Sequence, residues 1–412
     1  MTEELSNGLK KLGCESFRPG QEQIVMDTLN GKDTLNIMPT GAGKSLCYQL
    51  PATLLPGITI VVSPLIALMR DQVTSLNQKK IPAAFINSTL RKEVIDLILK
   101  MACDGKFKII YVAPERLTTA KFLEFAKTQD ISLLVVDEAH CVTQWGLAFR
   151  QAYQTIPTFV NELQHRPVIA AFTATATQEM QKEISEMLSL DAPVKTVTGF
   201  DRPNLFFDVI EMKEPKEKYQ WLKEFVKKRK GQCGVVYCRT RRTTQNVTRM
   251  LRQAGISAQY YHAGLAPEQR KYVQDYFVTD NYDVLASTTA FGMGIDKPNV
   301  RYVVHFDMPL SIEDYYQQAG RAGRDGKPAE CILLHNSEHD MAGNLWLLAH
   351  SDAKADEEIR SDLLVRDTAH LEMMEQYAEL SQSTECFRNK LLEYFGEKPT
   401  KKRCGNCGHC HK

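Results

Sequence analysis

Three clusters of residues in this sequence have types and spacings that could do chemistry. The first is Met38-Pro39-Thr40-Gly41-Ala42-Gly43-Lys44-Ser45. Glycines let backbone N–H groups close around phosphate oxygens, and a helix opening just after them favours negative charge. In that arrangement Thr40, Gly41, Ala42 and Gly43 cradle the phosphates, Lys44 reaches the β/γ-phosphates and Ser45 helps to hold Mg²⁺. The long form of the phosphate-loop pattern asks for glycine where Met38 stands, so the match is to the shorter T-G-x-G-K-S form. The second cluster is Asp137-Glu138-Ala139-His140, about ninety residues on. There Asp137 suits a Mg²⁺ coordination shell, Glu138 suits orienting and deprotonating a water, and His140 suits linking the site to motion. The third is Cys386 with Cys404, Cys407 and Cys410. Two C-x₂-C steps and one distant cysteine supply four thiolates for tetrahedral Zn²⁺. His409 or His411 could replace one thiolate, and a disulfide pair is the other alternative.

These residues need elements to hold them. Thr34–Met38, Ile58–Val62, Lys108–Val112, Ser132–Val136 and Val168–Phe172 read as near-continuous apolar strands, the pattern of strands covered on both faces. Between them lie amphipathic stretches such as Arg91–Cys103, with Val94, Ile95, Leu97, Ile98 and Met101 on one side. The alternation is that of a parallel α/β sheet. It pauses at the turn-rich Gly199–Asn204 and resumes through Gly234–Tyr237, Ser257–Tyr261, Asp283–Ala286, Tyr302–Phe306 and Cys331–Leu334. After about Glu338 only helical patterns remain, up to Gly396. The expected domains are therefore 1–204, 205–337 and 338–412. A chain of 412 residues is long enough for two or three such cores.

Composition sets outer bounds. Hydrophobic residues make up 43% and charged residues 25%, and no apolar run approaches the roughly eighteen residues of a membrane span. The first residues lack the apolar core of a secretory signal, so a cytoplasmic protein is expected. A net charge of +1 leaves only a local basic track for nucleic acid. The other seven of the eleven cysteines are scattered and read as small buried residues in a reducing compartment.

Taken in order, the phosphate loop, the DEAH tetrapeptide, Thr173-Ala174-Thr175 and Gln317-Gln318-Ala319-Gly320-Arg321-Ala322-Gly323-Arg324 resemble a superfamily 2 helicase. FRPGQ (17–21), SPLIALMRDQV (63–73), YVAPERL (111–117), DEAHCVTQWG (137–146), AFGMGIDKPNVRYVVHFD (290–307) and QQAGRAGRDG (317–326) narrow the resemblance to the RecQ family, over nearly the whole chain. The resemblance implies two RecA-like parallel-sheet lobes and a small helical zinc-binding hairpin. It implies ATP-dependent 3′→5′ unwinding of DNA in recombination and repair, with ATP, Mg²⁺ and Zn²⁺ as cofactors. Gln21 and Arg18 would hold adenine. Gln317, Arg321 and Arg324 would serve hydrolysis, the arginines at the γ-phosphate. Ser63, Asn87, Ser88, Thr89 and Arg116 on the first lobe match segments that touch nucleic acid, as do Arg239, Thr240, Arg241, His262, Gly264 and Thr288 on the second. An aromatic-rich loop with Trp145, Phe149 and Arg150 would link DNA binding to hydrolysis, either by stacking on bases or with its aromatics packed beneath the loop.

The sequence departs from the family pattern in two places. Cys14 stands where an aromatic residue often stacks on adenine. Leu147-Ala148 replaces a His-Asp pair and Gln151 a proline in the aromatic-rich loop. Those changes keep open a strand-remodelling translocase with weak unwinding. An RNA helicase and a non-catalytic scaffold are the further rivals. The expected partners are single-stranded and duplex DNA, acting on a monomer associated with a bacterial nucleoid. Docking of a single-strand-binding protein is doubtful, because no winged-helix segment follows residue 412.

Overall fold

A computed structural model describes residues 3–144, 147–291, 297–351 and 357–411. The chain divides into two compact units, residues 1–199 and 200–412. The turn-rich Phe200–Asn204 thus goes with the second unit, a few residues before the boundary read from composition.

The first unit is built on a parallel sheet. Its strands are β1 (Thr34–Ile37), β2 (Ile58–Val62), β3 (Ala83–Ile86), β4 (Ile109–Val112), β5 (Ile131–Val136), β6 (Val168–Thr173) and β7 (Val194–Val197), in the order β3-β4-β2-β5-β6-β1-β7. Every residue of β1, β2 and β4 is buried, which is why they read as unbroken apolar runs. Parallel neighbours require crossover segments, and helices such as Lys44–Leu54, Ile66–Gln78 and Lys92–Cys103 supply them. Strands β3 and β7 escaped the sequence reading. β3 is four residues long, and β7 alternates half-buried and exposed positions at the sheet edge.

The Lys92–Cys103 helix forms as its periodicity suggests, but its buried positions are Leu99 and Ala102. Val94, Leu97 and Met101, expected on the covered face, are exposed. The helix follows edge strand β3, where the sheet beneath it ends, so part of its apolar side has nothing to cover it.

The second unit has its own parallel sheet. Its strands are β8 (Leu205–Glu211), β9 (Cys233–Tyr237), β10 (Ala258–Tyr261), β11 (Val284–Ser287), β12 (Val300–His305) and β13 (Ala329–His335), in the order β10-β11-β9-β12-β13-β8. β8 alternates, with only every second residue buried, because it is an edge strand. Helices Ser337–Ser351, Glu357–Glu379 and Phe387–Tyr394 then complete this unit. They are tied to the Glu217–Lys227 helix by charge as well as packing. Lys218 Nζ lies 3.0 and 2.9 Å from the two carboxylate oxygens of Asp340, with the side chains 1% and 0% exposed. No described helix is long and apolar enough to cross a membrane.

Removing one partner of a buried ion pair leaves an uncompensated charge. Lys218→Ala is expected to lower stability by about 3–5 kcal/mol in denaturant melts. A loss within error of zero would mean that Asp340 is neutralised by other groups.

Candidate functional site

In a parallel sheet all strands end on one edge, and ligands bind there. The phosphate loop follows β1, Asp137 follows β5, and Thr173 closes β6, which lies between them. At about 4.8 Å per strand, the loop and the carboxylate stand about 10 Å apart, room for a metal ion and phosphate oxygens.

The loop has the backbone its glycines suggest. Gly41 and Gly43 have φ of 85° and 82°, the left-handed region, and Gly43 is the N-terminal cap of the Lys44–Leu54 helix. The FRPGQ segment braces it from behind. Arg18 Nη1 donates to Gly41 O at 2.6 Å, and Gln21 Nε2 donates to Ala42 O and Gly43 O at 2.9 and 3.2 Å. Gln21 also accepts from Arg18 N at 2.8 Å and is 2% exposed. The amide expected to read adenine is thus engaged with the phosphate loop itself. Cys14 is half-buried against the core of the unit.

Asp137 is buried. Burial pushes its carboxyl up to about 7, Glu138 adds to the rise, and Lys44 opposes it. A buried carboxylate short of positive charge is the donor a divalent cation fits. Glu138 has φ of 50°, a strained conformation for a non-glycine residue, on the order of 1–3 kcal/mol. The turn brings Ala139 N to Phe172 O at 2.8 Å and His140 Nδ1 to Thr173 Oγ1 at 3.0 Å. Thr173 Oγ1 donates in turn to Thr175 O at 3.0 Å. His140 is thereby wired to the Thr-Ala-Thr segment. Tyr153, fully buried, donates to Asp137 O at 3.1 Å from the Leu147–Asn161 helix. No motif pointed to Tyr153.

The expected nucleic-acid residues fall at the C-terminal ends of three neighbouring strands in each sheet. Ser63, Asn87 and Arg116 follow β2, β3 and β4. Ser63 and Asn87 are fully buried, while Ser88 and Thr89 are exposed. Asn87 shapes its loop, accepting from Thr89 N at 3.0 Å and Thr89 Oγ1 at 2.7 Å, and its carbonyl accepts from Arg116 at 3.3 Å. In the other sheet Arg239, Thr240 and Arg241 follow β9, His262 follows β10 and Thr288 follows β11. Arg241 is exposed. Arg239 is turned inward, donating to Asp340 O at 3.1 Å and Asn344 Oδ1 at 3.3 Å. His262 is buried, and burial with Arg241 nearby holds its pKa below the usual value. Trp145 lies outside the described residues, as do the side chains of Phe149 and Arg150.

Gln317 and Arg324 are half-buried. Arg321 is 7% exposed, and its Nε and Nη1 have no hydrogen-bond partner among the described residues. A buried guanidinium with unmatched N–H groups suits an incoming anion.

The four cysteine sulfurs lie within 4.8 Å of one another, with Cys386–Cys407 and Cys404–Cys410 both at 3.8 Å. Zinc–sulfur bonds of about 2.3 Å in a tetrahedron put ligand sulfurs about 3.8 Å apart, the spacing that both of these pairs have. His409 is held elsewhere, its Nδ1 on Glu385 O and its ring stacked on Phe387. Asp307, His339 and Asp340 also converge, but Lys218 and Arg239 already supply the positive charge there.

Known proteins were compared with this chain. The DEAD/DEAH box helicase family matches residues 18–183, the helicase conserved C-terminal domain residues 217–326, and the RecQ zinc-binding family residues 350–411. The ATP-dependent DNA helicase RecQ of Bacillus subtilis is 40% identical over 97% of this chain and 65% of its own length. That of Pasteurella multocida is 41% identical over 97% and 60%. The probable ATP-dependent DNA helicase RecS of Bacillus subtilis is 34% identical over 97% of this chain and 90% of itself. The chain thus spans about 60–65% of the RecQ relatives' length. Among solved structures, the DUF1998 helicase MrfA bound to DNA has a TM-score of 0.69 at 20% identity, covering 82% of this chain and 51% of that one. Mss116p bound to single-stranded RNA and AMP-PNP has 0.69 at 16%, covering 96% and 85%. At these identities they establish the fold, two RecA-like sheets.

The cysteine geometry yields a direct expectation. The purified protein should carry about one zinc per chain, and Cys407→Ser, at a fully buried ligand, should lose it. Metal analysis checks this, and retention of zinc by the variant would assign the metal elsewhere.

Proposed function

We propose, on the premise that this chain belongs to the RecQ family of superfamily 2 helicases, that it hydrolyses ATP to move 3′→5′ along single-stranded DNA and so unwinds duplex DNA. The observation that carries the reading is the convergence of Lys44, Asp137, Glu138 and the His140–Thr173 contact at the ends of three neighbouring strands. Mg²⁺, when bound, would neutralise phosphate oxygens beside Asp137 and Ser45. Lys44 would hold the β/γ-phosphates, and Glu138 would take the proton of the attacking water. His140 would pass the state of that site to Thr173. Arg321 and Arg324 would stabilise charge developing on the γ-phosphate.

Ser88, Thr89, Arg116, Arg241 and Thr288 would meet DNA backbone phosphates without reading sequence. Stacking in DNA averages about 1.4 kcal/mol per base-pair step, so a motor that traps frayed bases suffices. Recombination and repair are the processes proposed for it, and the four cysteines would hold zinc in a structural role. Leu147 and Ala148, replacing a polar pair, open the Leu147–Asn161 helix directly after residues 145–146. That favours, as a second reading, a strand-remodelling ATPase with little unwinding.

Glu138→Gln should lower ATP turnover by about 10²–10⁴-fold, and Lys44→Ala should abolish it. ATPase assays with and without single-stranded DNA, beside unwinding of a 3′-tailed duplex, test the whole. Unwinding by either variant would displace the site. Stimulation by RNA rather than DNA would reassign the substrate, and stimulation without unwinding would support the second reading.

A further inference from the structure

Residues 320–323 carry Arg321 and lead to Arg324, and they emerge from the Ile312–Ala319 helix. The last carbonyls of a helix have no partner within it and must find donors elsewhere. Backbone N–H groups of residues 320–322 meet those of Tyr316, Gln318 and Ala319, and the carbonyls of the turn that follows are met largely by one side chain. Arg202 Nη1 donates to Gly320 O at 3.3 Å, and Nη2 donates to Ala322 O at 3.1 Å and Gly323 O at 2.9 Å. Asn204 adds Nδ2 to Gly323 O and Lys327 O, both at 2.9 Å. Gly323 has φ of +55°, and a Cβ there would fall 2.4 Å from that amide nitrogen. The turn is thus gripped on its carbonyl side by Arg202 and Asn204. Its N–H side is tied to the sheet by Gly323 N to Val300 O at 2.9 Å.

The gripping segment is itself held by the cysteine module. Arg388, 5% exposed, bonds Asp201 Oδ1 at 2.6 Å and Arg202 O at 2.7 Å, and also meets Cys404 and Leu205 O. Asn406, between two of the cysteines, donates to Pro203 O at 2.9 Å and Leu205 O at 3.2 Å. Phe200 stacks on Phe395 at 4.7 Å, and its carbonyl accepts from Tyr316 of the Ile312–Ala319 helix. A continuous chain of contacts runs from the thiolates through residues 200–205 to the arginine turn, all within the second unit.

We infer that Arg202 is a positioning residue for the Arg321–Arg324 turn, and that the cysteine module sets the turn's geometry by holding Arg202 through Arg388 and its neighbours Pro203 and Leu205 through Asn406. The inference rests on the proposed ATPase. It assigns to Phe200–Asn204 a role in turnover that its place as a link between sheets would not suggest. It also gives the cysteine module an effect on hydrolysis without any contact with nucleotide. A guanidinium suits the task because its planar fork fixes donors on two separate nitrogens, Nη1 and Nη2, whereas an ammonium carries its three donors on one freely rotating nitrogen.

The test measures kcat and KM for ATP at saturating single-stranded DNA, melting temperature and bound zinc, for the unaltered chain, Arg202→Ala, Arg202→Lys and Asn406→Ala. A misplacement near 1 Å in the turn corresponds to a loss of about 100-fold in kcat for Arg202→Ala. KM for ATP should stay unchanged, and Arg202→Lys should be intermediate. Asn406→Ala should keep its zinc and still lose kcat. If Arg202→Ala does not fold, Arg202→Lys and Asn406→Ala carry the same comparison. Variants that melt earlier but turn over at the unaltered kcat would show a purely structural brace and overturn the inference. A rise in KM with kcat preserved would overturn it as well. An unaltered chain that hydrolyses no ATP would instead remove the proposed function, and the inference with it.

Discussion

Parallel pairing dictates where the chemistry can be. Because all strands of a parallel sheet run the same way, their C-terminal ends share one edge, and the loops leaving that edge are the ones free to carry function. In the first unit this brings together segments distant in sequence. The phosphate loop after β1, the carboxylates after β5 and the threonines after β6 become neighbours only through the order β5-β6-β1. The same edge presents Ser63, Asn87 and Arg116 from β2, β3 and β4. One constraint therefore lays out the phosphate-loop motif with its carboxylates and a polar row side by side in a single sheet. The second sheet repeats the polar row from β9, β10 and β11.

Burial makes these groups responsive to a ligand's charge. Asp137 is held in a desolvated position that disfavours its carboxylate, with Lys44 the opposing cation. Arg321 carries buried N–H groups that no described residue satisfies. Each is an incompletely matched charge: a carboxyl with little positive charge beside it in the one, a guanidinium short of acceptors in the other. By contrast Lys218 and Asp340 are matched to each other and Arg239 to the Ser337–Ser351 helix, so those charges maintain the fold. Chemical type alone does not separate the two groups. What separates them is whether the surrounding protein completes the hydrogen bonding.

The C-terminal helices have a different source of order. They follow the sheet rather than lying within a βαβ series, and a small module seldom buries enough surface to stand alone. Four convergent cysteines, a buried Arg388 and the Phe200–Phe395 stack fasten them to β8 and to the Ile312–Ala319 helix.

Much was legible in advance, because it depends on local chemistry. The strands that matter most for the site, β1, β5 and β6, are short apolar runs, and β1 and β5 end on recognisable motifs. The cysteine cluster showed in its spacing. Edge strands β3, β7 and β8 were missed because partial exposure leaves an irregular or alternating pattern in place of an apolar run. The Lys92–Cys103 helix was read correctly as a helix and wrongly as to its covered face, since periodicity reports an apolar stripe but not what lies against it. Arg239 matched a nucleic-acid segment by position, yet its guanidinium turns inward. Tyr153, Arg202 and Asn204 carried no signal, because their partners are backbone carbonyls, which every residue has. The sequence by itself determined the kinds of chemistry present and the elements that carry them, through residue type, period and spacing. Only the tertiary structure decided which polar groups are already paired and which await a ligand, because that depends on atoms brought together from more than a hundred residues away.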